Sequence, residues 1–183
     1  MEHLGTKTIE TKRLLLRRLT VEDTDSAFKN WTSDKEVTKY LEWPTHENIS
    51  LTKGIIEMWV KNYSKNNFYQ WGIILKDMNE LIGTISVVNN NDKVKMVEMG
   101  YCIGKQWWNK GITSEALTAL IKFFFEEVGI NRIQAWHDTK NISSRKVMEK
   151  CGMIYEGCLR QSHENNSGIC DRNIFSIIAE DYF

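Results

Sequence analysis

Proline is nearly missing: Pro44 is the only one in 183 residues. With no Pro-, Gly- or Ser-rich stretch, no repeat and no low-complexity tract, nothing divides the chain, and residues 1–183 are expected to form a single domain. Net charge is also missing, because 24 Lys and Arg balance 24 Asp and Glu. That balance removes the long-range field that would draw in nucleic acid or an anionic membrane, and neither is expected as a partner. The basic pairs Lys12-Arg13 and Arg17-Arg18 are too short for a binding patch and read as solvated strand ends.

Cys102, Cys151, Cys158 and Cys170 lack the paired spacing of a zinc site and have no nearby His set, so no metal is expected. No apolar run approaches the ~20 residues of a membrane span, and no secretory signal is recognised. The expectation is a soluble, cytoplasmic chain, with a homodimer left open. Neither a Walker sequence nor Gly-x-Gly-x-x-Gly occurs.

What is present is hydrophobic periodicity that switches repeatedly between two and 3.6 residues. Strand patterns fall at about 8–19, 68–76, 81–88, 94–103, 132–137, 155–161 and 172–178, and helical patterns at about 21–42, 47–65, 111–128 and 143–150. Asn89-Asn90-Asn91-Asp92 reads as a hairpin turn. The order predicts an α+β fold with helices packed on a mostly antiparallel sheet.

The most informative segment is Trp107 to Leu117, where an apolar strand passes through a turn into an amphipathic helix carrying Ile112, Ala116, Leu117, Leu120, Ile121 and Phe124. Unpaired N–H groups and the helix dipole favour an anion at such a start by about 0.3–1 kcal/mol per charge, which suits a pyrophosphate. An ordinary strand-to-helix turn with an exposed Lys110 has the same local pattern. A second strand-then-helix unit follows, from Ile133 to His137 and from Asn141 to Met153. Two neighbouring units of this kind can splay their strands and leave a wedge for a long, thin ligand, with Asn141 and Ser144 at its mouth.

Three clusters, Trp108-x-Lys110-Gly111-x-x-x-Glu115-Ala116, Asn141-x-x-Ser144 and Glu149-Lys150-x-Gly152, together resemble the GNAT superfamily of acetyl-CoA-dependent N-acetyltransferases. The branch most similar is that of the RimJ/RimL ribosomal-protein N-terminal acetyltransferases. Thr11-x-Arg13-Leu14-Leu15-Leu16-Arg17, Leu81-Ile82-Gly83 and Asp171-x-x-x-Phe175-Ser176-Ile177 extend the resemblance over nearly the whole chain. It implies a mixed, mostly antiparallel twisted sheet with helices on both faces and splayed central strands, with acetyl-CoA as cosubstrate.

The family's pyrophosphate turn runs Gln/Arg-x-x-Gly-x-Gly/Ala, which sets Trp108 at its first position, Gly111 at its first glycine and Thr113 at its last, leaving Gln106 outside the frame. The phosphates would then rest on backbone N–H groups of Asn109, Lys110, Gly111, Ile112, Thr113 and Ser114. Asn109 stands where the branch has Gly, and Asn tolerates left-handed backbone better than most residues. The resemblance also implies that the pantetheine arm pairs with the backbone of Tyr101 and Ile103 and that Asn141 contacts it; Asn141 is equally suited to cap a helix.

Acetylating an amine requires a proton acceptor, a donor for the developing oxyanion and an outlet for the thiolate. Glu98 is the candidate base, through a water, because Gly100 two residues on leaves its side of the strand clear. A backbone N–H near Tyr101 would meet the oxyanion. Many relatives place a Tyr where this chain has Met148, so Ser144 is the candidate donor to the leaving thiolate, with a first-turn helix serine as its other reading. Glu115 reads as a dipole complement, His137 as a structural residue or an acceptor-pocket wall, and Trp31, Trp43, Trp59 and Trp71 as core. The acceptor is expected to be a primary amine, a protein N-terminus first and a polyamine or antibiotic second; a non-catalytic acyl-CoA sensor is the alternative. A polycationic acceptor would require Glu36, Glu42, Glu47 and Glu57 to converge.

Overall fold

The computed structural model describes residues 1–183. Eight strands form one sheet: β1 (Ile9–Glu10), β2 (Leu14–Arg17), β3 (Gln70–Leu75), β4 (Glu80–Asn91), β5 (Met96–Ile103), β6 (Arg132–Asp138), β7 (Ile154–Asn165) and β8 (Gly168–Ile178). Their order is β1-β2-β3-β4-β5-β6-β8-β7, with every neighbouring pair antiparallel except β5 and β6. That parallel pair meets only at Met96–Arg132, Val97–Ile133 and Glu98–Gln134, after which the two strands part. The sheet is therefore mostly antiparallel and split at its centre, as the resemblance implied.

The α-helical segments are α1 (Thr24–Ala27), α2 (Lys35–Thr38), α3 (Ile49–Asn62), α4 (Ile112–Phe123), α5 (Ile142–Lys150) and α6 (Ala179–Tyr182). On one face of the sheet, α4 and α5 seal the larger core, in which Ala116, Leu117, Leu120 and Phe124 are wholly buried against Val97, Ile133 and Ile85. Leu117, Leu120 and Phe124 each contribute about 1.5–3 kcal/mol by leaving water. A smaller core on the other face brings Ala27, Trp31 and Ile56 against Ile74 and Leu81. The alternation in β5 divides the two faces: Val97, Met99 and Ile103 are buried in the larger core, while Cys102 packs against the smaller one.

Three local expectations change. The strand over 8–19 folds back on itself, because Thr11 Oγ1 accepts from the Leu14 N–H at 2.9 Å and closes a turn between β1 and β2. The helix over 21–42 breaks into short pieces, since Asp34 adopts extended backbone and caps a new helix by accepting from the Glu36 N–H at 2.8 Å. The hairpin turn lies beyond Asn91, at residues 92–95, because β4 carries a bulge at Val88 and runs on through the asparagines.

Candidate active site

The strand-to-helix turn is built around two left-handed residues, Asn109 (φ 59°) and Gly111 (φ 69°). They turn the chain so that the backbone N–H groups of Asn109 through Ser114 find no acceptor within the protein. Gly111 is the N-cap of α4 and offers no side chain to its N–H groups; the first bond it makes is from the Glu115 N–H to its own carbonyl, at 3.1 Å. A row of free donors at the start of a twelve-residue helix is an anion cradle. Cations surround it: a Cβ added at Gly111 would lie 3.3 Å from Lys150 Nζ and 3.8 Å from Arg13 Nη2.

Glu115 does more here than complement a dipole. Its carboxylate accepts from Thr11 Oγ1 at 2.6 Å, the Arg13 N–H at 2.9 Å and Arg13 Nε at 2.6 Å, while Arg13 Nη1 donates to the Lys110 carbonyl at 3.0 Å. Burial alone would raise the Glu115 pKa, but these donors and the guanidinium charge bring it below the ordinary carboxylate value. One ion pair thus pins the turn to the β1–β2 corner.

Beyond Glu98 the edge of β5 that faces β6 is unpaired. The Gly104 N–H donates to Ile82 of β4, so with a period of two Cys102 and Gly100 also face β4, and Tyr101 and Ile103 face the open edge. Trp108 Nε1 donates to the Ile103 carbonyl at 2.9 Å and takes up one acceptor of that edge.

Two cavities open on this split. One, of about 490 Å³, runs along the turn and is lined by Trp108 through Ser114, by Tyr101 and Ile103, and by Lys140, Lys146 and Lys150. The other, of about 400 Å³, lies on the side of α3 and is lined by Trp31, Trp43, His46, Trp59, Val88 and Trp136 among others. Tyr40, Leu41, Tyr101, Cys102, Asn141 and Ser144 line both, so the two spaces meet at the mouth of the wedge.

At that meeting point the Tyr101 hydroxyl lies 2.9 Å from Ser144 Oγ and 3.3 Å from the Ser144 carbonyl. Burial pushes the phenol well above its ordinary pKa, with the Ser144 bond pulling the other way, so it stays protonated. Asn141 caps α5 by accepting from the Ser144 N–H at 3.2 Å, which fixes the serine's position. Cys102, also at the junction, has its thiol pushed up to about 11 by burial and is a poor nucleophile. Met148 is buried in the larger core.

Glu98 sits at the last paired rung of β5 and β6. It accepts from Gln134 Nε2 at 2.6 Å and Trp136 Nε1 at 3.2 Å, and it lines neither cavity directly; Trp136 stands between it and the second one. The space above Gly100 is not left clear, because Val88 at the β4 bulge fills it, and a Cβ on Gly100 would lie 2.7 Å from Val88 Cγ1. His137 lines the second cavity and is 2 % exposed; its Nδ1, 2.7 Å from the Asp138 carbonyl, must donate, leaving Nε2 without a partner. Burial lowers its pKa.

Sequence reasoning missed the Tyr101 side chain, the tie from Glu115 to Arg13 and the walls of the second cavity. Trp31 and Trp71 are core, as expected, but Trp43 and Trp59 are only partly buried and face the cavity. The carboxylates do not converge: Glu36 pairs with Lys105, Glu57 with Lys53 at 3.8 Å, Glu47 is exposed, and only Glu42 lines the second cavity.

No side-chain set in the chain groups three or more potential metal ligands, and no helix is long and apolar enough to cross a membrane. A family model described as Acetyltransferase (GNAT) domain matches residues 13–154. The N-acetyltransferase YoaA of Bacillus subtilis (strain 168), uncharacterized, is 34% identical over 170 residues, covering 93% of this chain and 96% of its own. The ribosomal-protein-serine acetyltransferase of Escherichia coli (strain K12) is 33% identical over 101 residues, 55% of this chain and 56% of its own. A crystal structure of a GNAT-family acetyltransferase from Bacillus anthracis superposes with a TM-score of 0.84 at 28% identity, covering 95% of this chain and 99% of that one. Solved neighbours of the same fold include complexes with acetyl-CoA and with coenzyme A. The split sheet, the anion cradle and these matches together place the chain in the GNAT family of N-acetyltransferases.

Proposed function

We propose that this chain moves an acetyl group from acetyl-CoA to a primary amine within a complex that holds both substrates. The observation that carries this reading is the junction of the two cavities at Tyr101, Asn141 and Ser144, one leading to the anion cradle and the other away from it. In this reading the N–H groups of Asn109 to Ser114, with Lys150 and Arg13, hold the pyrophosphate. The open edge of β5 at Tyr101 and Ile103 receives the pantetheine arm as a further strand would be received, Trp108 having taken the last carbonyl.

The amine nitrogen attacks the thioester carbonyl, a C–N bond forms and the C–S bond breaks. The Tyr101 backbone N–H on the open edge donates to the carbonyl oxygen as its charge develops. Glu98 takes the amine proton through a water that passes Trp136, its carboxylate held in place by Gln134 and Trp136. Ser144, backed by the Tyr101 hydroxyl, donates to the departing sulfur. The resemblance to ribosomal-protein acetyltransferases supports a protein N-terminus as acceptor to the extent of a relative aligned over 55% of this chain.

Incubation with acetyl-CoA and a panel of amines, following free thiol, tests the reading. Amine-dependent thiol release is the expected result. Binding of acetyl-CoA without release for any amine would overturn it and leave a sensor of acyl-CoA.

A further inference from the structure

The second cavity has a chemical character of its own, and it constrains what amine can enter. Its walls come from well-separated segments, among them Trp31 before α2, Tyr40 to Trp43 after it, Ile55, Ile56 and Trp59 on α3, and Val88, Met99 and Trp136 on three strands of the sheet. Four indoles, those of Trp31, Trp43, Trp59 and Trp136, and the phenols of Tyr40 and Tyr101 therefore line a space of about 400 Å³, near the low end of the range that accepts small organic ligands.

Two carboxylates stand in the wall, and each already faces a neighbour. Glu42 faces His163 Nε2 at 3.0 Å, and the buried Asp138 accepts from Asn165 Nδ2 and from the Lys140 N–H, both at 2.8 Å. Other polar groups in the wall include His137, whose Nε2 has no partner, and a buried chain in which His46 Nδ1 lies 2.8 Å from Thr52 Oγ1 and that oxygen lies 2.7 Å from Thr32 Oγ1. His46 packs its ring against Trp43, with centroids 5.4 Å apart, and burial lowers its pKa, which keeps the imidazole neutral near pH 7.

The wall that carries Tyr40, Leu41 and Trp43 is held from outside. The tip of the β7–β8 hairpin grips it: Asn166 Nδ2 donates to the Thr38 and Trp43 carbonyls at 2.9 and 2.8 Å, the Asn166 N–H donates to the Leu41 carbonyl, and Ser167 Oγ donates to the Lys39 carbonyl. The segment after α2 has no regular structure, so this clasp, with the Thr38–Thr45 hydroxyl pair and the His46 N–H bond to the Thr32 carbonyl, holds its aromatic side chains at the cavity.

Resting on the transfer reading above, we infer that the acceptor is a small primary amine carried on a flat, apolar body, such as an arylalkylamine, in preference to a polyamine or a peptide N-terminus. The body lies among Trp43, Trp59 and Trp31, and the amine points to the junction at Ser144. An aromatic body gains ring-stacking contacts with the indoles that a flexible chain, which has no ring, cannot make. A polyamine would bring several ammonium groups into a largely aromatic space whose wall holds two carboxylates, Glu42 and Asp138, so part of that charge would be desolvated without compensation.

The test uses the whole chain with acetyl-CoA and four acceptors: 2-phenylethylamine, tryptamine, spermidine and a tetrapeptide beginning Ser-Ala. The expected kcat/KM for either arylalkylamine is at least tenfold above that for spermidine and for the peptide. Equal or greater kcat/KM for spermidine or the peptide overturns this inference alone. No thiol release with any of the four, from a chain that binds acetyl-CoA, overturns the transfer reading and this inference with it. Trp59→Ala should raise the arylalkylamine KM at least tenfold and leave the acetyl-CoA KM within twofold, and Trp59→Phe, which keeps a ring in the wall, should restore most of the loss. An unchanged arylalkylamine KM in folded Trp59→Ala overturns the placement; if that variant does not fold, the wild-type panel decides.

Discussion

Gly111→Val probes the anion cradle with least ambiguity, because the two costs it imposes can be separated. A Cβ at this position meets Lys150 Nζ at 3.3 Å and Arg13 Nη2 at 3.8 Å, both ends of flexible side chains that can step aside. The steric cost is therefore small. The conformational cost is not: at φ 69°, ψ 12° a residue with a Cβ is disfavoured by about 1–2 kcal/mol, and a β-branched one stands at the upper end. In the free protein the turn can relax in part, since its N–H groups bond only to solvent, although Arg13 and Glu115 still hold it at the Lys110 carbonyl. Stability should then fall by less than the full strain. An anion, however, requires the N–H groups to converge again, and binding must supply the difference. The expected loss of coenzyme A affinity is about 1.4–2 kcal/mol, tenfold to roughly thirtyfold in Kd. Titration calorimetry on wild type and variant, with thermal unfolding alongside to establish the fold, measures it. An unchanged Kd in a folded variant would refute the argument and move the phosphates away from this turn.

Glu98→Gln should leave coenzyme A affinity intact and lower turnover by about 10²–10⁴, with the loss shrinking as pH rises and the amine deprotonates unaided. A pH–rate profile parallel to wild type would make Glu98 a staple between β5 and β6 through Gln134 and Trp136. Tyr101→Phe removes the hydroxyl behind Ser144, a hydrogen bond worth about 1 kcal/mol; kcat should fall severalfold with coenzyme A affinity unchanged, and an unaltered kcat would remove the pair from the transfer step. Initial rates with both substrates varied should give intersecting lines, with no mass gain when the protein meets acetyl-CoA alone, because Cys102 has a raised pKa and no adjacent base; parallel lines with an acetyl adduct would refute direct transfer. The Arg132 guanidinium, 2.6 Å away, holds the Glu156 carboxyl down to about 2, with Ser176 assisting. A depressed carboxyl gives stability that is present above its ordinary pKa of 4.5 and lost as pH falls toward about 2, so Arg132→Met should flatten the acid limb of a stability–pH curve by about 1 kcal/mol once solvent screening of a side chain 40% exposed is allowed for. Identical acid limbs would show the pair to be inert.

The parts of the fold and site that could be read from the sequence are those whose physics is local. The apolar stripe of α4 fixes the face that α4 buries, and β5 alternates because a strand must. The left-handed turn also declares itself locally, since Gly111 and Asn109 are among the few residues that accept positive φ cheaply. The cap at Asn141 places Ser144 by the same kind of short-range bond. The helix over 21–42 misled because its apolar spacing outlasts its hydrogen bonding: Asp34 competes for the backbone and ends the run before the periodicity does.

What could not be read depends on contacts between residues far apart in the chain. Glu115 shows a dipole-compatible acid at a helix start and nothing more until β1 and β2 fold back to bring Thr11 and Arg13 to it, across 104 and 102 positions. Tyr101 reads as a strand aromatic until α5 lays Ser144 against its hydroxyl. The second cavity is the extreme case. Trp43 follows a four-residue helix, and its place in the cavity wall is set by Asn166, 123 positions later, through a hydrogen bond to a backbone carbonyl that any residue would provide. Neither end of that bond carries a pattern: a carbonyl is common to every residue, and an asparagine in a polar hairpin is the ordinary composition of a turn. On the proposed reading, acceptor selectivity thus rests on interactions that leave almost no periodic signature, whereas the donor turn rests on backbone dihedrals that glycine and asparagine announce. The Asn166→Ala variant separates the two: loosening the clasp should raise the amine KM severalfold while the acetyl-CoA KM stays put, because Asn109 to Ser114 are held by Arg13 and Glu115 and not by the hairpin. Equal effects on both constants would mean that the two cavities are one mechanical unit and that the separation drawn here between donor and acceptor sites is wrong.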